Sequence, residues 1–159
     1  MGMVAGRVLG VHVAANVAYL ALVERPDAPH LADPVKIAPA TGLVDGVLLK
    51  DFGDRFVQEV RRVDAEVVVL AHTKKYGGWS YADAFARASL EATVLLVLAS
   101  SQVKCCVMKQ DRATKTLGFV RNKGIETLAA IVEHVGTLHW KERAPALLVA
   151  LACAKAGVP

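Results

Sequence analysis

The segment Glu66–Ala71 places five apolar residues, Val67-Val-Val-Leu-Ala71, directly behind a stretch whose apolar positions recur at helical spacing. A strand apolar on both faces belongs inside a covered sheet, and a helix running into it is the crossover of a parallel pair. Leu48, Phe52, Phe56, Val57, Val60 and Val63 mark that helix, through about Asp64. The parallel partner is Arg7-Val-Leu-Gly-Val-His-Val13. Each run has a histidine at its end, His12 one residue before the close of the first and His72 directly after Ala71. As parallel neighbours they bring His12 and His72 out at one sheet edge, where open α/β sheets place their sites.

The remaining elements follow from turn and cap signals. Arg7–Val13 turns at Ala14-Ala-Asn16 into Val17–Glu24, a β-hairpin. Pro26, Pro29 and Pro34 interrupt regular structure, and Val35–Ala40 returns as a third strand that Pro39 assigns to an edge. After His72, the polar loop through Trp79 leads to Ser80, the N-cap of a long helix over Tyr81–Ala99. Val103–Met108 is a fifth strand, and Asp111 caps a short helix through Leu117. Gly118–Gly124 is a basic loop, and helices near Ile125–Val135 and Glu142–Ala156 close the chain. Arg87 is placed to pair with Glu91, one turn on.

One domain over residues 1–159 accommodates this order, with a hydrophobic fraction of 54% supplying the core. Apolar runs such as Ala92–Ala99 and Ala144–Cys153 are too short for a membrane span, and Arg7 leads into a strand pattern rather than a signal peptide. A cytoplasmic protein is expected. Cys105, Cys106 and Cys153 lack the spacing of a zinc site or a disulfide framework. Adjacent Cys105 and Cys106 point to opposite faces of their strand, as core thiols or, alternatively, as redox sensors.

Net charge is +4 but uneven: residues 1–72 carry 7 basic and 9 acidic side chains, residues 73–159 carry 12 and 6. Lys104, Lys109, Arg112, Lys115, Arg121 and Lys123 face only Asp111 in their segment. Such a segment can meet phosphates or serve as a solvated face. Lys74, Lys75, Tyr76 and Trp79 put two cations and two aromatics beside His72, a set suited to gripping phosphates and stacking a base, or to covering the core.

The order β-β-β-α-β-α-β-α-α resembles the ribonuclease H-like fold, a mixed five-stranded sheet with helices on both faces, and within it the RuvC-like Holliday-junction resolvases. Val8-Leu-Gly-Val-His-Val-Ala-Ala-Asn-Val-Ala-Tyr-Leu-Ala-Leu-Val23 is similar to that family's opening hairpin, in which a Gly-apolar-Asp step precedes a small-residue turn. Ser89-Leu-Glu-Ala92, the Lys104–Lys109 strand, the Lys115 segment and the last helix fall in family order. The resemblance covers nearly the whole chain as pattern and spacing, with weak residue identity. It implies carboxylates on strand one, strand four and the last helix, holding two Mg²⁺ ions for phosphodiester hydrolysis, and a homodimer.

Here the first two positions read as His12 and His72. The family's Asp-Ala-Ala-Asp-Ala-Leu-like stretch reads as Glu142-Arg-Ala-Pro-Ala-Leu147, with Pro145 in place of the second acid. Imidazole is a poor ligand for a hard cation, so ordinary two-Mg²⁺ catalysis is not expected. His12, His72 and Glu142 then form either a degenerate site or a site for Mn²⁺, Zn²⁺ or Fe²⁺ in a phosphodiesterase. Three functions follow: a catalytically degenerate nucleic-acid-binding or scaffolding protein, that transition-metal nuclease, or a protein-interaction module. An actin-like ATPase would need a second domain and glycine-rich phosphate loops. His139 is expected to serve a helix end, and the apolar circumferences of the long and last helices to include a subunit interface.

Overall fold

The computed structural model describes residues 6–31, 34–72, 78–132 and 138–157. Its sheet has five strands, β1 (Val8–Ala14), β2 (Val17–Val23), β3 (Lys36–Ile37), β4 (Val67–Ala71) and β5 (Lys104–Met108), in the order β3-β2-β1-β4-β5. The β1–β2 and β2–β3 pairs are antiparallel, whereas β1–β4 and β4–β5 are parallel. The helices are α1 (Asp45–Arg62), α2 (Tyr81–Ala99), α3 (Gln110–Thr116), α4 (Gly124–Ile131) and α5 (Trp140–Ala156).

Side-chain alternation divides the core into two layers. Leu9, Val11, Val13, Val68 and Leu70 meet Phe52, Phe56 and Val60 of α1 and Leu90, Val94 and Leu98 of α2. Val8, Val67, Val69 and Ala71 meet α5 on the opposite face, with Ala113 of α3 and Leu128 of α4. All five residues of β4 are buried, as their uninterrupted apolar run requires. The i, i+4 spacing of Phe52, Phe56 and Val60 makes α1 a one-sided helix, and Gly53 lets it approach Thr93 and Val97 of α2.

Several elements differ locally from expectation. The third strand shrinks to Lys36–Ile37 because Pro34 and Pro39 flank it, although Val35 still accepts from Leu20 N–H at 2.9 Å. Ser80 does cap α2, its hydroxyl accepting from Asp83 N–H at 3.1 Å. Asp111 is a first-turn residue of α3, where its charge suits the helix dipole, and Lys109 is the cap position. The last helix starts two residues before Glu142. Its residues Arg143–Ala154 are all buried, so its apolar circumference is covered inside the chain by the sheet, α3 and α4.

Two contacts seat α5. A Cβ added at Gly10 of β1 would stand 1.9 Å from the Ala146 carbonyl oxygen, so only glycine permits this approach of helix backbone to strand. Arg143, 2% exposed, donates from Nε to Leu20 O at 2.8 Å and from its guanidinium to Pro34 O at 3.1 Å. Gly10→Ala must push α5 off the sheet or bend β1. Equilibrium urea unfolding should show a loss of about 3 kcal/mol, against less than about 1 kcal/mol for Gly46→Ala, whose added Cβ meets open space.

Candidate functional site

Parallel pairing sends the C-terminal ends of β1, β4 and β5 to one edge of the sheet, and α5 begins at that edge. His12 stands one residue past the Val11–Leu70 pair, so continuing the register sets Ala71 beside it and His72 one step further on. His72 is exposed, and its backbone N–H donates to Met108 O at 2.8 Å. The two histidines therefore leave the same edge at different register levels. Ala71 takes the place directly across from His12.

His12 lies on the α5 face, half-buried, with Nδ1 2.7 Å from the Glu142 carbonyl oxygen. A carbonyl can only accept, so Nδ1 carries the proton and Nε2 keeps its lone pair in the neutral ring. The acceptor lies in the first turn of α5, where Pro145 has no N–H to offer Lys141 O. Burial lowers the His12 pKa from 6.5. The bond to Glu142 O opposes this shift, the Arg87 charge adds to it, and the Glu142 charge opposes it. Burial prevails, and the neutral ring is favoured at neutral pH.

Other side chains complete this corner. The two-residue turn Ala15-Asn16 sets His12 opposite Tyr19. The Tyr19 ring lies 5.3 Å from that of His139, tilted by 55°, and its hydroxyl pKa is raised by burial and then by the Glu142 charge. His139 adopts φ 58° at the N-cap of α5 and provides no side-chain cap, so its ring serves Tyr19 rather than the helix end. The Arg87 guanidinium lies 3.8 Å from the centre of the Trp79 ring, and its Nε is buried without a hydrogen-bond partner. Tyr19, His139 and Arg87 did not figure among the candidate site residues. Hairpin register alone identifies Tyr19, whereas the other two meet the corner only through tertiary packing.

The basic residues are arranged around α3. Lys115 and Arg121 line one cavity of about 470 Å³ with Asp111, Thr114, Gly118, Phe119 and Asn122. Lys109 and Arg112 are exposed at the start of α3, and Lys123 is exposed and bonded to Glu126 at 3.0 Å. Lys104 begins β5 and so lies at the opposite edge of the sheet. Lys74, Lys75 and Tyr76 lie outside the described residues; Trp79 is half-buried beneath Arg87. Among the described residues, no three His, Cys, Asp or Glu side chains form a group that could hold a metal ion.

No protein-family model and no curated protein matches the chain. Solved structures do. Thermus thermophilus RuvC in complex with a Holliday junction substrate has a TM-score of 0.73 at 14% identity, covering 93% of this chain and 92% of that one. A further Thermus thermophilus RuvC structure has a TM-score of 0.70 at 15% identity, with 93% of each chain covered. The yeast mitochondrial Holliday junction resolvase Ydc2 has a TM-score of 0.70 at 11% identity, covering 98% of this chain and 80% of that one. The fold is RuvC-like and ribonuclease H-like, as the element order implied.

Because folding lowers the His12 pKa, the unfolded chain takes up this proton first. The histidine's contribution to stability is full above the unfolded value near 6.5, falls as pH drops below it, and levels off below the folded pKa. NMR titration should place the His12 midpoint below 6.5, with the proton of the neutral ring on Nδ1. Denaturant unfolding from pH 8 to 5 should lose this component in His12→Asn.

Proposed function

We propose that this chain is a RuvC-like nucleic-acid-binding or scaffolding protein in which ordinary two-Mg²⁺ phosphodiester cleavage has been lost. The observation that carries the reading is the His12–Glu142 hydrogen bond. Where the resemblance implies a strand-one carboxylate, the chain has an imidazole that favours its neutral form and is tied to a backbone carbonyl. Such a ring offers no oxygen to a hard cation. Ala71 lies across from it, and Pro145, buried in α5, can supply no ligand at the second helix position.

Binding is assigned to Lys109, Arg112, Lys115, Arg121 and Lys123, together with Lys74, Lys75, Tyr76 and Trp79. The RuvC neighbour solved with a Holliday junction supports a nucleic-acid ligand. Lys115 and Arg121 in one cavity with Phe119 supply cations and an aromatic ring, which suit phosphates and an unstacked base. A homodimer accords with α2, which leaves Tyr81, Phe85 and Leu96 exposed. No described helix is long and apolar enough to cross a membrane.

A transition-metal phosphodiesterase using His12, His72 and Glu142 is the weaker second reading, because these three side chains do not form a group that could hold a metal ion in the described structure. It needs His72 and Glu142 to converge with His12 around Mn²⁺, Zn²⁺ or Fe²⁺. Metal analysis of the purified chain, with and without added Zn²⁺ or Mn²⁺, distinguishes it from the first.

Labelled four-way junctions, duplexes and single strands decide between binding and cleavage. No Mg²⁺-dependent cleavage is expected; cleavage abolished by Glu142→Ala would establish an active nuclease instead. With about four phosphate contacts, log affinity should fall against log salt with a slope of roughly −3 to −4. Lys115→Glu with Lys123→Glu should weaken all sequences alike and flatten the slope by about one unit per lost contact. Trp79→Ala should weaken single strands selectively. Failure of every nucleic acid to bind at low salt would put the protein-interaction reading first.

A further inference from the structure

The loop between α3 and α4 is fixed by its own backbone at both ends. Phe119 N–H donates to Thr114 O and Gly118 N–H to Lys115 O, each at 3.0 Å, with Gly118 at φ 70°. These two bonds close α3 through a left-handed glycine and set the direction in which Phe119 leaves the helix. Lys123 N–H then bonds Val120 O at 3.0 Å across a tight turn in which Asn122 takes φ 62°, a conformation that asparagine tolerates. The side chains between these two anchors are therefore presented from a defined frame.

That frame walls the cavity of about 470 Å³, a size within the roughly 300 to 1,000 Å³ of small-ligand clefts. Phe119 packs against the α5 layer of the core and also lines the cavity, so its ring is held from behind. Lys115 and Arg121 stand exposed in the same wall, whereas Lys123 lies outside it and is bonded to Glu126. The Asn122 amide adds a group that can both donate and accept. Asp111 is the acid of the wall, and two cations with one carboxylate leave a single net positive charge. That matches the one negative charge of a phosphodiester better than the nearly two of a free phosphomonoester.

We propose that this cavity holds one unpaired nucleotide of a nucleic-acid strand, its base stacked on Phe119, its phosphate held by Lys115 and Arg121, and its base edge bonded to the Asn122 amide. The inference rests on the nucleic-acid reading and narrows it to a ligand: a nucleotide extruded from an otherwise paired helix. A base inside a duplex has both faces covered by its neighbours and cannot enter, so a perfect duplex offers these residues phosphates alone. Every base has a π-face, so the cavity selects for the extruded state more than for sequence.

The test measures fluorescence anisotropy of the full chain, at one low salt concentration, with three labelled DNAs. These are a fully paired duplex, the same duplex with one extra unpaired nucleotide, and that bulge with an abasic sugar in place of the nucleotide. The bulged duplex should bind about tenfold tighter than the paired one, and the abasic bulge, which keeps the extra phosphate, should lose most of that gain. In Phe119→Leu, which keeps an apolar side chain against the core, bulged and abasic probes should bind alike. Lys115→Gln with Arg121→Gln should weaken all three probes. Adenosine and guanosine monophosphates should not compete for the bulge. Equal binding of paired and bulged duplexes, or of bulged and abasic ones, would overturn the proposal while leaving the nucleic-acid reading in place. Competition by free nucleotides would overturn it too, giving the cavity to mononucleotides. If no probe binds, both readings fall. The three-probe comparison uses the natural sequence, so it decides the proposal even if Phe119→Leu fails to fold.

Discussion

The corner at the end of β1 depends on the contact between Gly10 and the Ala146 carbonyl. A side chain at Gly10 would meet backbone, which cannot rotate away, so its absence fixes the closest distance between α5 and the central strand. Arg143 then fixes the helix along its length by binding carbonyls of β2 and of the Pro34 loop. Burying a guanidinium is expensive unless its donors are matched, and removing it would strand both acceptors. With α5 held at these two places, the first-turn Glu142 carbonyl reaches His12.

That reach decides the chemistry available at the edge. A carboxylate at the end of β1 would offer oxygens outward; the imidazole turns one nitrogen inward to the helix and retains a single lone pair on the other. Burial and the Arg87 charge both oppose a proton on the ring. Tyr19 and His139 pack beside it, and Arg87 with Trp79 adds a cation and an indole. This set can accept a hydrogen bond and present positive charge to an anion. It is poorly suited to holding a pair of hard divalent cations.

The central strands, both crossovers and the two-layer core were legible because each follows from local periodicity. The β4 run is apolar throughout, α1 repeats every three to four residues, and Ser80 announces α2. The weak edges were less legible: the prolines beside β3 leave only two residues in the ladder, and Asp111 proved to be a first-turn acid rather than a cap. The apolar circumference of α5 carried two meanings, subunit interface or deep burial, and the packing of α3 and α4 against it supplies the second. On α2, by contrast, exposed Tyr81, Phe85 and Leu96 keep the interface reading open.

The sequence by itself determined that a parallel pair would carry two terminal histidines to one edge of a covered sheet, since strand patterns and crossover handedness are short-range constraints. It also determined that β1 and α5 hold His12 and Pro145 where the resemblance implies acids. Only the tertiary structure decided which groups meet. His12 finds a backbone carbonyl 130 positions away, and Arg87 stacks on Trp79. The physical reason is that periodicity fixes which face a residue occupies. Its partner on that face depends on how far each helix slides and tilts, which a missing Cβ at Gly10 and a buried guanidinium at Arg143 settle from opposite ends of the chain.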